Sequence, residues 1–148
     1  MRLLFFLIIL FSIQFSKAQT FDLNSDTIKV GDIFNPDPPI YFDFDKETIR
    51  PESYAFLDSV AVFLSLHDSL IIEVGTHMDS RWSDEYSNRL DLDRSKSVVE
   101  YLINKGIIVD RLFAKGYGRE RPIYTESEEE AMRRRNRRTE FKVLEIRN

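Results

Sequence analysis

The chain has 148 residues, a formal net charge of −4 and 43% hydrophobic residues, which suffices for one domain with a modest core. It contains no cysteine, which excludes a disulfide framework, a thiolate zinc site, a thiol nucleophile and lipidation through an N-terminal cysteine. The acidic balance gives no reason to expect nucleic acid as a partner.

Arg2, the apolar stretch 3–15 and the small residues Ser16 and Ala18 read as a secretory signal peptide over 1–18. The apolar stretch is shorter than the roughly 20 residues of a bilayer span. Residues 19–39 end in Asn35-Pro36-Asp37-Pro38-Pro39 and predict an extended N-terminal arm. The compact domain is expected over 40–148.

Ile40, Phe42 and Phe44 alternate with Tyr41, Asp43 and Asp45, the period of a half-buried strand. Pro51 suits the first position of a helix. Phe56, Leu57, Val60, Ala61, Phe63 and Leu64 continue it at helical spacing to about residue 66. Residues 70–78 predict a second strand, followed by a loop over 80–85. Val98, Val99, Leu102 and Ile103 predict a second helix over 91–105, which Gly106 ends. Residues 112–118 predict a third strand with a glycine-rich end. Ser127-Glu128-Glu129-Glu130 reads as a capping box, and Arg133, Arg134 and Arg135 match the dipole at the helix end. Residues 139–146 alternate as a last strand. Strands alternating with helices imply an α+β two-layer sandwich: a βαβαβ-type core with a mixed four-stranded sheet and helices on one face.

Asp79 lies just past the second strand, and Arg94 falls in the first turn of a helix starting at Asp91. A helix N-terminus already favours anions, and an arginine there strengthens the preference. A carboxylate beside it would suit a ligand carrying an amine and a carboxylate together. The plain alternative is that Arg94 pairs with Asp79, Asp91 or Asp93. Asp43 and Asp45, on one face of the predicted strand, have a spacing that a glycosidase could use. His77, Asp79 and Asp84 form a weak trio for zinc, which wants three or four ligands. No cofactor or metal is expected.

Several motifs fall in a familiar order. They are Ile40-Tyr41-Phe42-Asp43-Phe44-Asp45, Ile49-Arg50-Pro51, His77-Met78-Asp79, Leu90-Asp91-Leu92-Asp93-Arg94, Gly116-Tyr117-Gly118 and Asn136-Arg137-Arg138. Together they resemble the OmpA-like (OmpA/MotB) peptidoglycan-binding domain over about residues 38–146. The resemblance implies a non-catalytic module that grips the stem peptide of peptidoglycan. Asp79 and Arg94 would hold the amino-acid end of diaminopimelate, with Asp45, Ser87, Asn136 and Arg137 beside the groove. It further implies a periplasmic location, wall- or outer-membrane-associated, with another envelope protein as partner. The chain departs from the family pattern at Met78, Trp82, Ser87, Asp91 and Ser95. A protein-interaction subunit that keeps the fold and has lost wall binding is the alternative reading.

Overall fold

The computed structural model describes residues 27–125 and 129–148. The predicted signal peptide, the first part of the arm, and Ser127 and Glu128 of the capping box lie outside the described residues.

Pro51 opens a 3-10 turn, Pro51–Ser53, that leads into helix α1, Tyr54–Leu66. Leu57, Val60, Ala61, Phe63 and Leu64 are buried, as their spacing dictates. Strand β2, Leu70–His77, follows a short turn. Helix α2 then spans Asp84–Asn104 and strand β3 spans Leu112–Gly116. A short helix α3, Glu130–Asn136, precedes strand β4, Arg138–Ile146. The remaining strand, β1, is the two-residue piece Ile33–Phe34.

The sheet has four strands in the order β1-β4-β2-β3. β2 runs parallel to β3 and antiparallel to β4, and β1 is antiparallel to β4. Leu70, Ile72 and Val74 share one core with Leu57, Val60 and Leu64 of α1, Val98 and Leu102 of α2, and Phe141 and Val143 of β4. Both long helices therefore cover the same face, and the fold is the expected α+β sandwich. Each fully buried Leu or Val contributes about 1.5–3 kcal/mol. Arg111 locks the α1–β2 corner by donating to the carbonyls of Leu64 (2.9 Å), His67 (2.7 Å) and Leu70 (2.9 Å). The Leu64 and His67 carbonyls lie at the C-terminal end of α1, where helix carbonyls lose their helical partners.

Three expectations are corrected. Residues 40–45 do not form a sheet strand. Phe42 bridges only Ile49, in a hairpin whose tip carries Asp43, Phe44 and Asp45. Ile40 is buried, yet Phe44 is 84% exposed, so the alternation marks a hairpin anchored at one end. The sheet's first strand comes instead from the predicted arm, where Phe34 stacks on Phe56 at 5.7 Å and Ile28 packs on the core. Packing thus begins ahead of Ile40. Finally, α2 starts at Asp84 rather than Asp91. Ser83 is its N-cap, accepting from the Tyr86 amide at 3.3 Å, and Asp84 and Glu85 occupy the first turn.

Candidate ligand-binding site

The site residues gather where β2 ends. Buried Met78 prolongs β2 by donating its amide to the Gly118 carbonyl (2.8 Å), which turns the chain at Asp79. The Asp79 side chain is wholly buried yet carries its charge. It accepts from the Arg81 amide at 3.1 Å, from the Arg81 guanidinium at 2.7 Å, and from Arg137. Burial pushes its pKa up, but the bonds from Arg81 and then Arg137 outweigh it, and the value falls to about 2.

Arg94 lies well inside α2, so the free amides of a helix N-terminus are not at hand, contrary to the sequence expectation. Its Nε donates to the Lys46 carbonyl (3.0 Å) and its Nη2 to the Asp43 carbonyl (3.4 Å). Nη1 reaches the Met78 sulfur at 3.5 Å, and the guanidinium sits 5.0 Å from the Phe42 ring centre. Arg94 thereby ties the 42–49 hairpin to the end of β2. Burial draws its pKa down, and the charges of Asp91 and Asp45 resist. Asp79 and Arg94 do not bond to each other: each is engaged separately at adjacent positions just past β2, through Asp79 itself and through Met78.

The other expected residues divide. Arg137 belongs to the site, bridging Asp79 and Glu130, the latter at 2.5 Å. Asp45 stands at the hairpin tip with φ 58°, within electrostatic reach of Arg94. Asn136 is buried and its amide is spent: Oδ1 accepts from the Ile123 (2.8 Å) and Tyr124 (3.0 Å) amides, and Nδ2 donates to the Tyr124 carbonyl (2.8 Å). It holds the loop before α3. Ser87 is fully buried on the inner side of α2, its hydroxyl without a hydrogen bond.

Asp91 is no helix cap. It is fully buried one turn after Ser87, and neither carboxyl oxygen makes a hydrogen bond of normal geometry. Burial pushes its pKa up to about 7 against the pull of Arg94, the Gly118 amide and Arg138. His77, on the opposite sheet face, bonds Glu140 at 2.6 Å and stacks on Tyr117 at 4.6 Å. Burial lowers the His77 pKa, while Glu140 stays anionic because His77 and Arg138 outweigh its own burial. A neutral ring donating from Nε2 to a carboxylate accounts for both directions and leaves the buried Nδ1 without a partner.

Asp84 pairs with Arg119 at 2.7 Å, so the trio imagined for zinc is not assembled. Among the described residues no group of three or more His, Cys, Asp or Glu could hold a metal ion. Asp43 and Asp45 sit on a hairpin tip rather than on one face of a strand, which removes the geometry behind a glycosidase pair.

Sequence reasoning missed Arg81, Glu130 and the Asp43 and Lys46 carbonyls. Arg81 was detectable: an aspartate that accepts from the amide two residues on makes an Asx-turn, which Asp79-Ser80-Arg81 invites. Backbone carbonyls leave no mark in a sequence.

A family profile described as the OmpA family matches residues 41–137, most of the chain, including Asp79, Arg94 and Arg137. The chain belongs to the OmpA family. It is 39% identical over 113 residues to outer membrane protein A of Bordetella avium, covering 76% of this chain and 56% of that protein. It is 33% identical over 114 residues to outer membrane porin F of Pseudomonas fluorescens, covering 77% of this chain and 35% of that protein. The chain thus spans only part of the length of these OmpA-family relatives. Among solved structures it is similar to the peptidoglycan-associated lipoprotein of Burkholderia pseudomallei, with a TM-score of 0.62 and 27% identity over 70% of this chain and 86% of that one. The periplasmic domain of Helicobacter pylori MotB shares the fold, with a TM-score of 0.65 at 19% identity over 78% of this chain and 77% of that one.

Proposed function

We propose that this OmpA-family chain is a non-catalytic peptidoglycan-binding module of the bacterial cell envelope, exported by residues 1–18 and resident in the periplasm at the wall or outer membrane. Its ligand is the amino-acid centre at the end of the diaminopimelate side chain in the stem peptide. The observation that carries the reading is the buried, ionised Asp79 carboxylate, one residue from the group that Arg94 contacts. A buried anion beside arginines fits a zwitterion. The ligand ammonium replaces an arginine on Asp79, and the ligand carboxylate meets Arg94 and the Arg137 so released. Asp45 lines the hairpin side, and Ser87 and Asn136 support the walls from beneath. Similarity to a protein described as peptidoglycan-associated supports the wall as partner.

Charge-assisted hydrogen bonds contribute about 1.5–3 kcal/mol each, so single-site binding is moderate, and the repeating wall adds avidity. Sedimentation with purified sacculi tests this. Wild type should pellet, and Arg94→Ala and Asp79→Ala should stay in the supernatant while Arg94→Ala still melts cooperatively. Pelleting of both variants like wild type overturns the reading.

One observation favours the second reading, a periplasmic protein-interaction subunit that keeps the fold and has lost wall binding. Asp79 is already saturated by Arg81 and Arg137. Wild-type protein that ignores sacculi yet captures an envelope partner would establish it.

A further inference from the structure

The stretch between Asp79 and α2 carries an aromatic pair that the zwitterion site does not use. Trp82 stacks on Tyr86 with ring centres 5.0 Å apart and planes 27° apart, and Arg89 follows 5.9 Å beyond the Tyr86 ring. Both aromatic rings are half-buried, and the indole ends the stack on the side nearer Asp79 in the chain. The backbone that presents it is fixed on both flanks. Arg81 clamps Asp79, Arg119 bonds the Ser80 carbonyl (3.0 Å) and Asp84 (2.8 Å), and Ser83 caps α2. A half-buried indole held this firmly costs little entropy to bind against.

We propose that Trp82, backed by Tyr86, is a stacking platform for the pyranose rings of the wall's glycan strand, next to the stem-peptide site. The proposal rests on the wall reading for its occupant. The chemistry suits a neutral sugar: the negative face of an aromatic ring attracts the C–H edge of a pyranose, and no charge is required. The dimensions agree as well. Three residues of chain span at most about 10 Å, so Trp82 lies within that distance of Asp79. Diaminopimelate is the third residue of the stem, and its distal end lies up to roughly 20 Å from the sugar along an extended stem, so a bent stem can bring the sugar over Trp82.

Trp82 is the chain's single tryptophan, so intrinsic fluorescence reports this position alone. The full chain is titrated with two probes: peptide-free glycan strands from amidase-treated sacculi, and free stem tripeptide. Glycan strands should shift or quench the emission saturably, with little dependence on salt. The Arg94→Ala variant, whose contacts lie on the 42–49 hairpin and Met78, should respond to glycan as wild type does. By calorimetry Trp82→Ala should bind glycan roughly tenfold more weakly, whereas Trp82→Phe keeps most of the affinity. Unchanged emission with glycan, or Trp82→Ala binding glycan as tightly as wild type, overturns the platform. If tripeptide binds and glycan does not, the platform falls and the zwitterion site stands. If glycan binds and tripeptide does not, the zwitterion site falls and the platform stands.

Discussion

Asp79 and Asp91 are both fully buried carboxyls, and their surroundings give them opposite protonation. Asp79 receives two guanidinium groups and an amide, so it keeps its charge down to about pH 2. Asp91 receives no good donor, so it holds its proton up to about pH 7. The signs of their stability effects follow. A depressed carboxylate stabilises the fold above its ordinary value of 3.8 and loses that contribution as pH falls towards 2. A raised one binds a proton in the native state that the unfolded chain has released. Stability then falls as pH rises from 3.8 to about 7. Urea unfolding should therefore show Asp91→Asn matching wild type near pH 4 and exceeding it at pH 8 by up to about 4 kcal/mol. Asp79→Asn should do the reverse, losing about 2 kcal/mol at pH 7 and little near pH 2. Parallel pH curves for Asp91→Asn and wild type would contradict the assigned burial of a protonated acid.

Among the elements, α2 positions the most. It carries Arg94, Asp91 and Tyr86, and its approach to β3 depends on Gly116. A Cβ there would stand 2.6 Å from the Leu92 nitrogen and 2.8 Å from the Asn88 carbonyl oxygen, both backbone atoms that cannot swing aside. Gly116→Ala should cost roughly 1–3 kcal/mol in a thermal melt and displace Arg94 from the hairpin carbonyls. An unchanged melt would mean that the close approach is not maintained in solution. The sequence signals for this helix were present but split. Val98 and Leu102 announced its apolar half, while Ser83-Asp84-Glu85 announced its start as an N-cap with acidic residues. The polar first turns between them resemble a loop when read by hydrophobic period alone. The same weakness hid β1, since two residues cannot show a period. It also let Ile40-Phe42-Phe44 pass for a strand, because a hairpin leg alternates in the same way until its tip turns to solvent.

For the whole molecule, fold class was legible because it rests on long, strongly periodic segments: α1, β2 and β4 bury the residues their patterns nominate. The candidate site was legible only in part. Asp79, Arg94 and Arg137 do converge at one end of the sheet, but burial of Ser87 and Asn136 depends on tertiary packing that no local pattern states. The proposed charged grip and neutral platform differ in their response to ionic strength, which distinguishes them. Retention on sacculi through Asp79 and Arg94 should weaken as salt rises towards 1 M, where the screening length falls to about 3 Å. Retention that does not respond to salt would assign the binding to uncharged contacts.

The most direct measurement compares two stem tripeptides by calorimetry, one ending in meso-diaminopimelate and one in lysine. They share the distal ammonium that Asp79 would accept and differ in the distal carboxylate that Arg94 would accept. The diaminopimelate peptide should bind and the lysine peptide should bind at least roughly tenfold more weakly, with Arg94→Ala abolishing the difference. Equal affinity for the two peptides would contradict the zwitterion grip.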